Sequence, residues 1–169
     1  MNIVLVGYRG TGKSAVAQLL ADAFDLRVVS LDQEIERSAG TDIPSIVDQR
    51  GWPGFRDLEE EVVRNFAALD GQVLDCGGGV IEREANFEVL RAAGTVVWLK
   101  ASTPVIVQRM SGDTQRPSLT GTKSFTEEVS EVLERRTPLY QRIAHVEVDT
   151  DARTIPQVAE TIEQLLKDN

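Results

Sequence analysis

Cysteine and histidine are almost absent from this chain: Cys76 and His145 are the sole example of each. With one thiol no intrachain disulfide can form, and a reducing compartment is the natural setting. His145 has no partner pattern that suggests a metal site. Positive charge is scarce as well. Against 27 Asp and Glu stand 18 Lys and Arg, a net charge of −9, which argues against a general binder of nucleic acid or membrane surfaces. A few placed arginines can still build a local pocket for an anion. No apolar run approaches membrane-spanning length. The first strand-like run starts at Asn2, leaving no room for a secretory leader, so the expected location is cytoplasmic. Repeats, low-complexity tracts and linkers are missing too. What is left is a soluble composition, 41% hydrophobic and 27% charged over 169 residues. That suffices for a single domain, 1–169, with a real core.

The most informative feature present is Gly7-Tyr-Arg-Gly-Thr-Gly12-Lys13-Ser14, which fills every defined position of G-x-x-x-x-G-K-[ST]. Ahead of it Ile3-Val4-Leu5-Val6 reads as a buried strand, and behind it Val16, Leu19, Leu20 and Ala23 recur at helical spacing. Glycines in this setting let the backbone turn its N–H groups toward phosphate oxygens, and the helix N-terminus adds positive potential. Gly10, Thr11, Gly12, Lys13, Ser14 and Ala15 are therefore the expected nucleoside-triphosphate-binding set. Lys13 can reach the β- and γ-phosphates, and the Ser14 hydroxyl can ligate Mg²⁺. The competing reading is a glycine turn followed by a chance lysine; the strand–loop–helix setting favours a nucleoside triphosphate site.

Strand-like runs then alternate with helical patterns. Arg27 to Ser30 reads as a second strand, followed by a helix from near Asp32 with Ile35 inward and Gly40 closing it. Phe55, Leu58, Val62, Phe66 and Leu69 mark a longer amphipathic helix. Gln72 to Cys76, Thr95 to Leu99 and His145 to Val148 are the remaining strands. Ile155, Val158, Ile162 and Leu165 outline a closing helix. This alternation predicts an α/β fold: a five-stranded parallel sheet flanked by helices, a three-layer sandwich of the P-loop NTPase type. Ligands are expected at the carboxyl ends of the strands. One stretch departs from the pattern. From Ser111 to Ser124 the chain is mostly polar, with glycines and a proline, before Ser124-x-x-Glu127 forms a capping-box pattern. In a phosphoryl-transfer enzyme it would be a mobile lid (about 111–124) that excludes water, with Arg116 meeting the phosphates on closure. An ordinary surface loop is the alternative.

Asp32-x-x-Ile35-Glu36-x-x-x-Gly40, Phe55-Arg56-x-x-Glu59, Gly77-Gly78-Gly79, Arg116-Pro117 and Arg136-x-Pro138-Leu139-Tyr140 follow the P-loop in order. Together these patterns resemble the shikimate kinase family, within the nucleoside-monophosphate-kinase-like group, over nearly the whole chain. The resemblance implies transfer of phosphate from ATP to the 3-hydroxyl of shikimate with Mg²⁺, a step toward chorismate and the aromatic amino acids. It implies small-molecule partners only, shikimate and ATP, and a monomer. Lys13, Asp32 and Arg116 become the catalytic set. Arg56 and Arg136 match the family's carboxylate-binding arginines, and Asp32 the carboxylate at the ring hydroxyls. Gly77, Gly78 and Gly79 match the backbone on which shikimate lies, and Arg109 an arginine beside adenine.

Each assignment has a plainer reading. Arg56 can pair with Glu59 or Glu60 along its own helix, with Glu59 then also orienting it. Arg136 can complement a helix dipole, Asp32 can be an N-cap, the glycines a tight turn, and Arg109 a solvated helix-end charge. Cys76 reads as a small core residue, Trp52 as a possible wall of the substrate pocket, and Trp98 as core.

The chain also departs from the family pattern. Where the family carries a second acid serving the magnesium shell, two positions before Asp32, this chain has Ser30. Asp75 instead ends the third strand, where other P-loop enzymes place a Walker-B aspartate. The expectation is that the carboxylate has moved between neighbouring strands, so that Ser14 and Asp75 form the Mg²⁺ site, Asp75 through water. The rival account has Ser30 marking weakened catalysis and Asp75 capping the strand. A gluconate-type kinase on the same fold and a catalytically silent nucleotide-binding homologue are the alternative functions.

Overall fold

Ile3, Val4, Leu5 and Val6 are wholly buried, as a strand covered on both faces requires. Ile3 and Leu5 pack on one side with Val16, Leu20, Val158 and Ile162. Val4 and Val6 pack on the other with Phe55, Phe87, Leu90 and Tyr140. This period of two, apolar on both faces, places β1 (Asn2–Val6) at the centre of the sheet. The computed structural model describes residues 1–110 and 124–168. Around β1 the strands β2 (Arg27–Ser30), β3 (Gln72–Asp75), β4 (Thr95–Lys100) and β5 (Val146–Asp149) are ordered β2-β3-β1-β4-β5, every pairing parallel. The expected five-stranded parallel sandwich is present. Helices α1 (Lys13–Phe24) and α7 (Ile155–Lys167) lie together on one face. The other face carries α3 (Ile43–Ala67), α4 (Ala85–Ala93) and α6 (Phe125–Ile143).

Several local details differ from the sequence expectation. The helix read from Phe55 begins at Ile43, where Asp42 caps it by accepting from the Ser45 N–H at 2.9 Å. It bends at Gly51, whose φ of 69° is not helical, just before Pro53. The kink broke the apolar periodicity on which the reading relied. Leu69 lies beyond its end and is 46% exposed, so it belongs to no apolar face. In α2 (Leu31–Ala39) the N-cap is Ser30, which accepts from the Gln33 N–H at 3.4 Å. The capping alternative for Asp32 therefore fails. The last strand starts one residue later than read, and His145 instead accepts from the Val96 N–H through Nδ1 at 3.0 Å. Burial, reinforced by Arg91, holds its pKa below the ordinary histidine value. The short helices α4 and α5 (Thr103–Met110) were not separately read from the sequence. The Ser124–Glu127 capping box is formed at α6. The expected lid lies almost wholly outside the described residues, and Arg116 with it. No described helix is long and apolar enough to cross a membrane.

Candidate active site

The carboxyl ends of β1, β2 and β3 open onto a cavity of about 1080 Å³. Chain reversal explains its place: the connections from β1 and β3 leave toward opposite edges of the sheet, and a crevice opens where they part. Gly10, Gly12, Lys13, Ser14, Ala15, Asp32, Arg56, Asp75, Gly77, Gly78, Gly79, Arg109 and Arg136 all line it. Of the expected site residues within the described chain, Thr11 alone is not on the wall. Its hydroxyl donates to the Tyr8 carbonyl at 2.8 Å and so braces the phosphate loop from behind.

The loop takes its shape from glycine. Gly10 and Gly12 adopt φ of 79° and 89°, the left-handed region that side chains disfavour. Gly12 is the residue immediately before α1, so the first free N–H groups of that helix face the cavity. Lys13 Nζ arches back to donate to the carbonyls of Gly7 and Tyr8 at 2.8 and 3.0 Å. Ser14 Oγ donates to Asp75 Oδ2 at 2.6 Å. Asp75 and Ser30 are register partners on β3 and β2, so the two positions lie side by side at the rim. Arg109 bridges the loop to the segment after β5, donating to the Gly10 carbonyl, at 3.3 Å, and to the Thr150 carbonyl and hydroxyl.

On the far side of this centre the three consecutive glycines each face a different side chain. A Cβ on Gly77 would sit 2.6 Å from Asp32 Oδ1, and one on Gly78 would sit 3.4 Å from Arg136 Nη1. At Gly79 it would overlap the Arg56 guanidinium. The absence of side chains at Gly77 and Gly79 is therefore what lets Asp32 and the Arg56 guanidinium close on this strip of backbone, with Arg136 in contact range at Gly78. Tyr140 Oη donates to the Gly78 carbonyl at 2.5 Å and pins the strip.

Each guanidinium is held by an acid. Arg56 Nη1 donates to Glu59 Oε1 at 2.8 Å, and its group lies 5.4 Å from the Trp52 ring, which walls the cavity as expected. Glu59 is 1% exposed. Burial raises its pKa above the ordinary glutamate value, an effect that Arg56 opposes but does not cancel. Arg136 is buried on α6, where its Nε donates to Glu82 Oε1 at 2.7 Å and its group lies 5.7 Å from the Tyr8 ring. Burial works against its charge, yet the nearby Tyr140 and Glu82 oxygens leave its pKa above the ordinary arginine value. The plainer reading of Arg56 is thus partly right: it does make the i,i+3 pair, and makes it facing the cavity. Arg136 stands before the last turn of α6, so it does not serve as the charge that complements the helix dipole.

Sequence reasoning missed Glu82 and Arg9. Arg9, an undefined position of the phosphate-loop pattern, lines the cavity with its guanidinium near the Tyr8 and Phe125 rings and 3.8 Å from buried Glu128. Neither residue fills a defined position of a motif, so only spatial proximity marks them. Cys76 is buried, and burial pushes its thiol far above the ordinary value, as a core residue and not a nucleophile requires.

A phosphate loop with its lysine and serine, facing a carboxylate and two arginines across one cavity, defines a P-loop small-molecule kinase. The family model described as shikimate kinase matches residues 9–167, and the chain belongs to the shikimate kinase family. A shikimate kinase of Pseudomonas putida is 41% identical over 168 residues, 97% of each chain. That of Pseudomonas entomophila is 42% identical with the same coverage. The solved structure of shikimate kinase from Acinetobacter baumannii in complex with shikimate has a TM-score of 0.94 at 34% identity, covering 99% of this chain and 93% of that one. A gluconokinase from Sinorhizobium meliloti, at 20% identity and TM-score 0.59 with 99% and 94% covered, shares the fold alone.

Proposed function

We propose that this enzyme transfers the γ-phosphoryl group of ATP to the 3-hydroxyl of shikimate. The observation that carries the reading is the glycine strip, with Asp32 at Gly77, Arg136 at Gly78 and Arg56 at Gly79. Shikimate is a ring carrying hydroxyls at one end and a carboxylate at the other, and this strip offers an acceptor and two cations in matching order. Arg56 and Arg136 bind the carboxylate; a guanidinium fork suits its two oxygens. Asp32 accepts from the ring hydroxyl and aims it, and receives its proton as the bond to phosphorus forms. Lys13 and the amides from Gly10 to Ala15 hold the phosphates, while Arg109, the arginine expected beside adenine, ties the loop to Thr150. Arg116 adds its charge to the transferring group. Phosphoryl transfer consists mostly of such positioning and charge stabilisation.

Ser14 and Asp75 are the residues we assign to Mg²⁺. A hydroxyl and a carboxylate 2.6 Å apart form a hard oxygen pair of the kind that suits an ion keeping several of its waters. When bound, the ion neutralises phosphate charge. Two facts support the view that Asp75 replaces the acid lacking at Ser30: the strands put the positions side by side, and Ser30 is engaged as the cap of α2. We assign the enzyme to the cytoplasm as a monomer, the buried lone thiol suiting a reducing compartment. The test is ADP release with shikimate against gluconate and against no acceptor.

A further inference from the structure

Arg136 lines two spaces at once. One is the main cavity, and the other a cleft of about 380 Å³ behind it that is lined also by Trp52, Arg56, Arg83 and Arg135. Glu82 lines the rear cleft but not the cavity. We propose that Glu82 is the positioning residue of the acceptor-carboxylate site, fixing which edge of the Arg136 guanidinium faces the ligand. This rests on the acceptor reading given above.

The Arg136 side chain is 4% exposed, so its neighbours set its orientation. Its Nε is engaged by Glu82 Oε1 at 2.7 Å, and the Tyr8 ring lies 5.7 Å from its guanidinium carbon. A guanidinium is a rigid planar fork; with the Nε edge held from the rear, its terminal nitrogens point elsewhere. Nη1 is the atom that approaches Gly78. Glu82 lies outside the cavity, so it orients the arginine without setting its own charge on the ligand's side. The same Glu82 oxygen accepts from Arg135 Nη2 at 2.8 Å. Burial pushes the Glu82 pKa up, but these two guanidiniums more than offset it, and the group stays ionised.

Its place in the chain makes the coupling rigid. Glu82 ends the 3-10 turn Val80–Glu82, and its N–H donates to the Gly79 carbonyl at 3.0 Å. The turn that follows the glycine strip therefore also carries the carboxylate that aims Arg136. Both halves of the carboxylate site, backbone and guanidinium, are registered to each other through one side chain.

The experiment uses the full chain with Glu82→Gln and Glu82→Asp, measuring KM for shikimate and for Mg-ATP, kcat and thermal midpoint. Shikimate carboxamide serves as a second acceptor. The expected result for Glu82→Gln is a shikimate KM raised about tenfold, equivalent to ~1.4 kcal/mol, with the Mg-ATP KM unchanged. Glu82→Asp should recover part of the loss, and the carboxamide should not distinguish variant from wild type. An unchanged shikimate KM overturns the proposal. So does a parallel rise in both KM values with a lowered midpoint, which marks a mere brace of the fold. Arg136→Ala separates the two levels. If it raises shikimate KM where Glu82→Gln does not, only this inference fails; if it too is without effect, the acceptor reading fails.

Discussion

Replacing Asp75 by asparagine changes one charge in the rim of the phosphate site and little else. The asparagine carbonyl oxygen can still accept from Ser14 Oγ, now 2.6 Å from the carboxylate, so local geometry should survive. Asp75 is 8% exposed, and its charge is accordingly little screened by water. A hydrogen bond to a charged group contributes about 1.5–3 kcal/mol, against about 0.5–1.5 for a neutral pair. The difference, roughly 1–1.5 kcal/mol, corresponds to about tenfold in an equilibrium constant. Outer-shell partners of bound metals lose about 10–100-fold in affinity when altered, which agrees. The assay is initial rate against free Mg²⁺ at saturating ATP, with calorimetric titration of Mg²⁺ into the enzyme–ADP complex as an activity-free check. Half-saturating Mg²⁺ should rise about tenfold by both measures. Adding Ser30→Asp should restore part of it, because residue 30 is the register partner of residue 75 and aspartate also caps helices well. An Asp75→Asn enzyme with unaltered Mg²⁺ dependence and turnover would refute the reasoning.

Two further outcomes follow from the acceptor side. Gly79→Ala would force the Arg56 guanidinium off the glycine strip; with overpacking typically costing about 1–3 kcal/mol, shikimate KM should rise at least fivefold (about 1 kcal/mol) while Mg-ATP KM holds. An equal KM for shikimate would show that Arg56 does not need that approach. Glu59 titrates above the ordinary glutamate value because it is buried. The stability it contributes is therefore present in full below the unfolded-state pKa and lost as pH rises through the folded one. Urea midpoints of Glu59→Gln relative to wild type should climb as pH goes from acid to neutral, and a pH-independent difference would count against the buried charge.

Much of this could be read from residue patterns because the governing interactions are local. The strand β2 was bounded correctly by its β-branched pair, and the phosphate loop is a continuous string whose glycines dictate its shape. The partner of Arg56 narrows to Glu59 or Glu60 because i,i+3 and i,i+4 spacing on a helix is a short-range rule, and Glu59 is the one engaged. What escaped depends on chain crossings. The start of α3 was hidden by Gly51 and Pro53, which interrupt the apolar repeat although the chain turns helical again beyond them. Leu69 looked like core by spacing, and only the helix end at Ala67 leaves it in solvent. Glu82 and Arg136 are 54 residues apart. No pattern in sequence announces that the turn after the glycines will sit under α6. That Ser30 caps α2 and Asp32 does not depends likewise on where β2 ends, one residue before α2 begins.

The measurement that bears most directly on the account is ADP release from Mg-ATP with shikimate, gluconate or no acceptor, with the phosphorylated product identified by position. The account predicts turnover that depends on shikimate, yields the 3-phosphate, and exceeds the gluconate and acceptor-free rates. Background ADP release with shikimate, from folded protein that binds ATP, would contradict it.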